Sequence, residues 1–228
     1  WMGICHGWAP AAYMLPRPSK AIEVQSFDGT KSLKFFPSDI KSLGSLIWAK
    51  NEVPTKFIGG RCRTKDPVKD AEGRVTDQDC FDTNPASWHF SVVNQIGRAK
   101  RSFIIDATFD YEVWNQPVIA YGYKYFNISS GETSTKSSDV MMSISDLEKV
   151  PFATHRSANA THIIGVEMDI EYVVETTPEQ YETDDPSYDY TTTVTYRYDL
   201  EIDKLGNVIG GEWYSNAHPD FLWTAIKG

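Results

Sequence analysis

Two runs dense in Val, Ile, Tyr and Thr, Thr161 to Thr176 and Tyr190 to Asp203, constrain the fold of this chain more than any other feature. The acidic, turn-forming stretch Glu182-Thr-Asp-Asp-Pro-Ser-Tyr-Asp189 lies between them, so they read as the arms of one long antiparallel β-ribbon over 161–203. Lys204-Leu-Gly206-Asn207 then turns the chain into a third strand. A ribbon of this length needs a partner for its apolar face, and the rest of the sequence must supply it.

The N-terminal part has a different texture. Trp1 to Pro16 reads as a short helix entered near Cys5 and closed by Pro16 and Pro18, with Pro10 in its first turn. Ala21 to Phe36 forms a hairpin through Asp28-Gly29. Ser38 then caps a core helix, Asp39 to Ala49, whose Ile40, Leu43, Leu46 and Ile47 follow helical spacing. Beyond Val113 the chain is β-rich, with a strand over Val118 to Phe126. A polar linker, Ser129 to Ser138, and a short helix, Ser143 to Lys149, stopped by Pro151, follow it. Helices on an antiparallel sheet make this an α+β chain, read as one domain over residues 1–228.

Composition removes several function classes. With 22 basic and 31 acidic residues the net charge is −9, and no basic run offsets it, so nucleic acid and anionic membranes are poor partners. The most apolar windows, Ile163 to Val174 and Val113 to Tyr125, are broken by Glu, Asp, Asn or Pro and fall short of a membrane span. Two sequons, Asn127-Ile-Ser and Asn159-Ala-Thr, point to a secreted glycoprotein. No repeat, phosphate loop, zinc spacing or serine nucleophile elbow is present.

Three cysteines is an odd number. Cys62 and Cys80 flank a polar stretch that lacks any periodicity of its own, and a disulfide closing the loop 61–85 would stabilise the fold by about 3 kcal/mol. Cys5 is left over, at the start of the first helix. A helix N-terminus favours anions and offers unpaired backbone N–H groups, the setting of a thiolate nucleophile.

A nucleophilic thiol needs a base and an orienting group. Of five histidines, His89 stands out, because Trp88 to Ile96, Gly97 to Arg101 and Ser102 to Asp106 read as strand, turn and strand. Folding that hairpin brings His89 opposite Asp106, which gives a Cys5-His89-Asp106 triad. Asn115 and Asp110 are the alternatives for the orienting role, and Trp8, Trp88 and Trp114 could wall a water-poor site. His6 is read as a capping or packing residue and His155 as a loop residue.

Two stretches are rich in carboxylates. Asp70 and Asp77 lie in the disulfide loop, and Asp184, Asp185 and Asp189 lie at the ribbon tip. Both read first as solvated loops and second as oxygen-ligand sites for a hard cation such as calcium.

Three motifs carry a resemblance. Val113-Trp114-Asn115-Gln116-Pro117-Val118 resembles the surface peptide of the oomycete transglutaminase elicitor family. Cys5-His6-Gly7-Trp8-Ala9-Pro10-Ala11 is similar to that family's catalytic-cysteine motif, and Gly210 to Trp223 to its closing motif. After Pro117-Val118 the chain reads Ile119-Ala120-Tyr121-Gly122-Tyr123, where the family peptide continues Arg-Gly-Phe. The resemblance implies a secreted, calcium-dependent protein-glutamine γ-glutamyltransferase on a fold related to papain-like cysteine peptidases. Its partners would be proteins bearing glutamine and lysine, a host immune receptor, and an N-terminal segment of a longer precursor that completes the oxyanion site. A cysteine peptidase, and a non-catalytic elicitor or binding module acting through Trp114 and Gln116, are the competing readings.

Overall fold

A computed structural model of the chain describes residues 3–226 except 52, 81, 109 and 110; Asp110, one of the alternatives above, lies outside the described residues. In chain order the elements are α1 (Cys5–Met14), β1 (Ile22–Gln25), β2 (Ser32–Phe35), α2 (Pro37–Lys50), β3 (Thr55–Gly59) and α3 (Pro85–Val92). They are followed by β4 (Phe103–Asp106), β5 (Asn115–Phe126), β6 (Thr133–Ser134), β7 (Met142–Ser143), β8 (His162–Val174), β9 (Tyr190–Ile202), β10 (Val208–Gly210) and β11 (Phe221–Ala225).

The ribbon forms as its alternation dictates. β8 and β9 pair antiparallel from His162↔Ile202 to Val174↔Tyr190, and Gly206, at φ +84°, makes the turn into β10. β5 pairs with the other edge of β8, so the sheet runs β10-β9-β8-β5-β4-β11-β3, with β6 and β7 as short additions. Its inner face buries Ile164, Val166, Met168, Ile170, Tyr198 and Leu200 against Trp88, Val92 and Phe103. Each such side chain contributes about 1.5–3 kcal/mol. The structure thus has a mixed helix and sheet fold built on an antiparallel sheet.

The hairpin expected over residues 88–106 is absent. Residues 85–92 are α3, which continues as a π-helical turn, Val93–Arg98. The local cause is a helix start: Asn84 Oδ1 accepts the Ala86 amide at 3.0 Å and Pro85 occupies the first helical position. From there Pro85, Trp88, His89 and Val92 fall on one buried face. β4 accordingly pairs with β5 and β11, and residue 106 faces Asn115 across the ladder, not His89.

Smaller differences concern the helices. Pro10 sits inside α1, beyond its first turn. α2 begins at Pro37, with the Asp39 carboxylate accepting the Phe36 amide at 2.9 Å, so Ser38 is inside the helix and not its cap. α2 is no core helix either: it meets α1 through its small residues, while Leu43, Leu46 and Ile47 stay exposed. The close approach centres on Gly7, where an added Cβ would lie 2.4 Å from the Ser45 carbonyl oxygen. Of the helix expected over 143–149 only a 3-10 turn, Ile144–Asp146, forms.

A buried ion cluster ties the loop before β8 to the sheet. The Arg156 guanidinium donates to Asp199 at 2.5 and 2.7 Å and to Glu201 at 3.3 Å, and all three side chains are at least 95% buried. The ribbon tip is strapped to the segment following α1. Arg17 binds Asp184 and Asp189, Lys41 binds Asp184, and the Ala21 amide donates to the Glu182 carbonyl at 2.7 Å.

Candidate functional site

α1 presents Cys5, half-buried, in its first turn and lays its buried face, Gly7, Ala9, Pro10 and Ala11, against α2 and the β4–β11 region. Ala9, Ile104, Phe221 and Trp223 form a second small core there, with Trp8, Tyr13 and Val113 at its margin. Packing of this core places the Cys5 thiol at the end of the sheet, where β5 begins.

Two groups hydrogen-bond the sulfur among the described residues. The Asn115 side-chain amide donates to Sγ at 3.3 Å, and Sγ lies 3.7 Å from the Val113 carbonyl oxygen. Asn115 is buried and fixed from the other side, since Trp223 Nε1 donates to its Oδ1 at 2.7 Å. The amide orientation follows from that indole contact, because Trp Nε1 can only donate.

Asp106 acts one step further back. Its Oδ1 accepts the Trp114 amide at 2.9 Å and the Thr108 hydroxyl at 3.0 Å, which holds the backbone leading into Asn115. Burial raises its carboxyl above the ordinary range, opposed by these donors.

His89 has a different place from the one expected of it. Its Nδ1 pairs with the Tyr198 hydroxyl at 2.7 Å, and its ring meets Tyr123 edge-on. Burial lowers its pKa to about 4, so it is neutral at pH 7. The register argument that joined it to Asp106 therefore fails. Trp88 likewise belongs to the main core, whereas Trp8 flanks the thiol's own cluster and Trp114 is exposed, its Nε1 donating to Glu112. His155 pairs with Asp70 at 2.8 Å, and His6 is exposed.

The peptide 113–118 is only partly a surface feature. Asn115, Gln116, Pro117 and Val118 are buried, and Gln116 Nε2 donates to Glu175 at 2.9 Å. This removes Gln116 from any exposed recognition surface and leaves Trp114. Cys62 and Cys80 form the expected disulfide. Asn159 is exposed, and Asn127 is half-buried with its Oδ1 accepting the Ser129 and Ser130 amides.

The carboxylates expected to bind calcium do not fit that ion. Asp184 and Asp189 are neutralised by Arg17 and Lys41, Asp185 caps the Ser187 amide, and Asp70 is taken by His155 and the amides of Glu72 and Arg74. Asp77 sits in the same loop without forming a cluster: among the described residues no group of three or more His, Cys, Asp or Glu side chains converges.

His218 and Asp82 form a second titratable pair. His218 Nε2 and Asp82 Oδ2 are 3.6 Å apart, and burial pushes the carboxyl up to about 8 and the imidazole down to about 4. At pH 7 the pair is neutral on both sides rather than ionic. Between pH 4 and 6.5 the unfolded chain binds protons at His89 and His218 that the fold refuses, so stability from these groups rises with pH. From 6.5 to 8 the fold retains an Asp82 proton that the unfolded chain has lost, and stability falls. Asp82→Asn is expected to flatten that alkaline decline in thermal denaturation followed from pH 6 to 9; an unchanged slope would count against the assignment.

The geometry defines an α+β protein with a helix-borne thiol set against the end of an antiparallel sheet and touched by a fixed side-chain amide. The chain belongs to the transglutaminase elicitor family, whose model matches residues 1–227. Among solved structures it is similar to the GP42 transglutaminase from Phytophthora sojae, at 28% identity and a TM-score of 0.65. The match covers 99% of this chain and 56% of that one, so the chain spans little more than half the length of that relative. None of the curated proteins compared with the chain matches it.

No helix among the described residues is long and apolar enough to cross a membrane. The residue that sequence reasoning undervalued is Trp223. Its role arises from β11 lying beside β4, which no local pattern announces; the signal within reach was its place at the end of the closing motif.

Proposed function

We propose that this chain is a protein-glutamine γ-glutamyltransferase that works through a Cys5 thioester, in the oxidising setting that its disulfide and sequons suit. The observation that carries the reading is the Trp223–Asn115–Cys5 chain of contacts in a member of the transglutaminase elicitor family. Cys5 Sγ attacks the γ-carboxamide carbon of a substrate glutamine. The C–N bond breaks, and the thiol proton leaves with the amide nitrogen as ammonia. A lysine ε-amine then attacks the thioester carbon, loses its proton, and regenerates the thiol with an isopeptide bond formed.

Asn115 Nδ2 is the donor for the oxyanion that develops in both steps. Its side chain meets the two conditions for such a donor: it is within reach of the reacting sulfur and it is held before reaction begins. The arrangement follows papain-like cysteine peptidases in placing the thiol at a helix N-terminus, with a side-chain amide as neighbour.

The test is incorporation of a fluorescent diamine into casein, with and without added calcium. Asn115→Ala is expected to lower kcat by about 10²–10³-fold. Trp223→Phe, which leaves the amide but frees its rotation, should lower kcat by about 10- to 100-fold with little change in KM for the amine. Hydrolysis of glutamine amides without amine incorporation would instead make the chain a hydrolase.

A further inference from the structure

A cleft of about 290 Å³ separates the disulfide-closed loop from the segment before β11. It is close to the lower size of small-ligand sites, roughly 300 Å³. Asp82, Phe152, Glu212, Trp213, Tyr214 and His218 line it. Nothing in the reaction at Cys5 uses any of them.

The polar balance of this cleft is unusual. Its cation, Arg74, is engaged by Glu212 through two hydrogen bonds, at 2.7 and 3.3 Å. Asp82 Oδ1 is buried without a hydrogen-bond partner, and His218 at 3.6 Å is too far to donate to Oδ2. His218 itself is 93% buried, stacks on Trp213 with ring centroids 4.5 Å apart, and has an unpartnered Nδ1. Phe152 holds a left-handed backbone, φ +52°, at the cleft wall, a conformation costly for a non-glycine residue. Unsatisfied polar atoms of this kind are expensive to keep in a folded protein and mark places where a partner is missing.

We propose that this cleft binds a primary ammonium group, that of a lysine side chain, with the Asp82 carboxylate as counter-ion and aromatic rings as walls. An ammonium carries three N–H donors and no acceptor, which suits an acceptor-only carboxylate with a free oxygen. Aromatic faces attract cations by about 0.5–2 kcal/mol each. An anionic ligand is disfavoured, because it would have to displace Glu212 from Arg74 and approach Asp82. In the empty cleft burial beside Asp220 and Asp106 keeps a proton on Asp82; the ammonium displaces that proton to solvent, and the carboxylate so formed is the counter-ion that accepts its N–H donors.

The experiment uses the Cys5→Ser protein, in which no thioester can form, titrated with Nα-acetyl-lysine N-methylamide and followed by calorimetry and side-chain NMR. Saturable binding is expected, with shifts at Trp213 and His218. Asp82→Asn should weaken it at least tenfold, and the norleucine analogue, which lacks the amine, should not bind. Equal binding of the norleucine analogue, no saturation, or shifts confined to Trp8 and Trp223 would each overturn the proposal. The NMR result needs no cleft variant to fold. Amine incorporation and ammonium binding are separate readouts, so either can fail without the other.

Discussion

Replacing Cys5 with alanine is expected to reduce diamine incorporation into casein to background while leaving the fold intact. Cys5 is half-buried and its contacts are two weak sulfur bonds, so the substitution removes little packing. Its chemical effect is total, because loss of the nucleophile in thioester chemistry leaves only the residual rate of the site; in a well-studied protease the analogous loss is on the order of 10⁶-fold. Circular dichroism and melting temperature should match the parent. Retention of more than a few per cent of the activity would mean that another group attacks the carboxamide and that the Asn115 contact is incidental.

The second large effect concerns stability. Arg156→Ala leaves Asp199 and Glu201 buried with their charges unpaired, and breaking a buried pair in this way costs about 3–5 kcal/mol. For a domain of this size that corresponds to a loss of about 6–20 °C in Tm. Because the cluster lies beneath β9 rather than at the thiol, kcat measured well below the new Tm should be little changed. A triple change that also replaces Asp199 and Glu201 with Asn and Gln should recover part of the loss. If Arg156→Ala alone melted within 2 °C of the parent, as scattered surface substitutions do, the cluster would have to be hydrated rather than buried.

How much of this could be read from the amino-acid sequence depends on the range of the interactions concerned. The ribbon was legible because alternation with period two is a local property: His162 to Ile202 needs only its own neighbours to choose a strand pair. The Asp28-Gly29 hairpin and the turn at Gly206 are legible for the same reason, since each rests on one glycine with positive φ. Residues 88–96 are ambiguous in sequence, because a short apolar run with adjacent valines fits a strand as well as a helix. The deciding signal, the Asn84-Pro85 start, lay upstream of the run.

The site divides along the same line. Cys5 could be singled out from its count and its helix, but its neighbours come from β5 and β11, which lie 110 positions and more away in sequence. Once α3 replaced the expected hairpin, Asp106 kept its position at the end of β4 and lost His89 as a partner. Asn115, already the alternative for the orienting role, took the place opposite it. The exposed apolar residues of α2 show the converse failure: helical spacing told that a helix forms, and could not tell which of its faces is covered.

The strand that completes the site follows every other strand described in chain order. β11 inserts between β4 and the edge strand β3, so this side of the sheet stays open until Phe221–Ala225 has left the ribosome. Only then can Trp223 lock Asn115 beside a thiol that was synthesised some two hundred residues earlier. Until then Cys5 has no side-chain amide fixed next to it. The arrangement around Cys5 is therefore a property of the assembled sheet: a chain without β11 would carry the thiol and the Asn115 amide with nothing to hold the two in register.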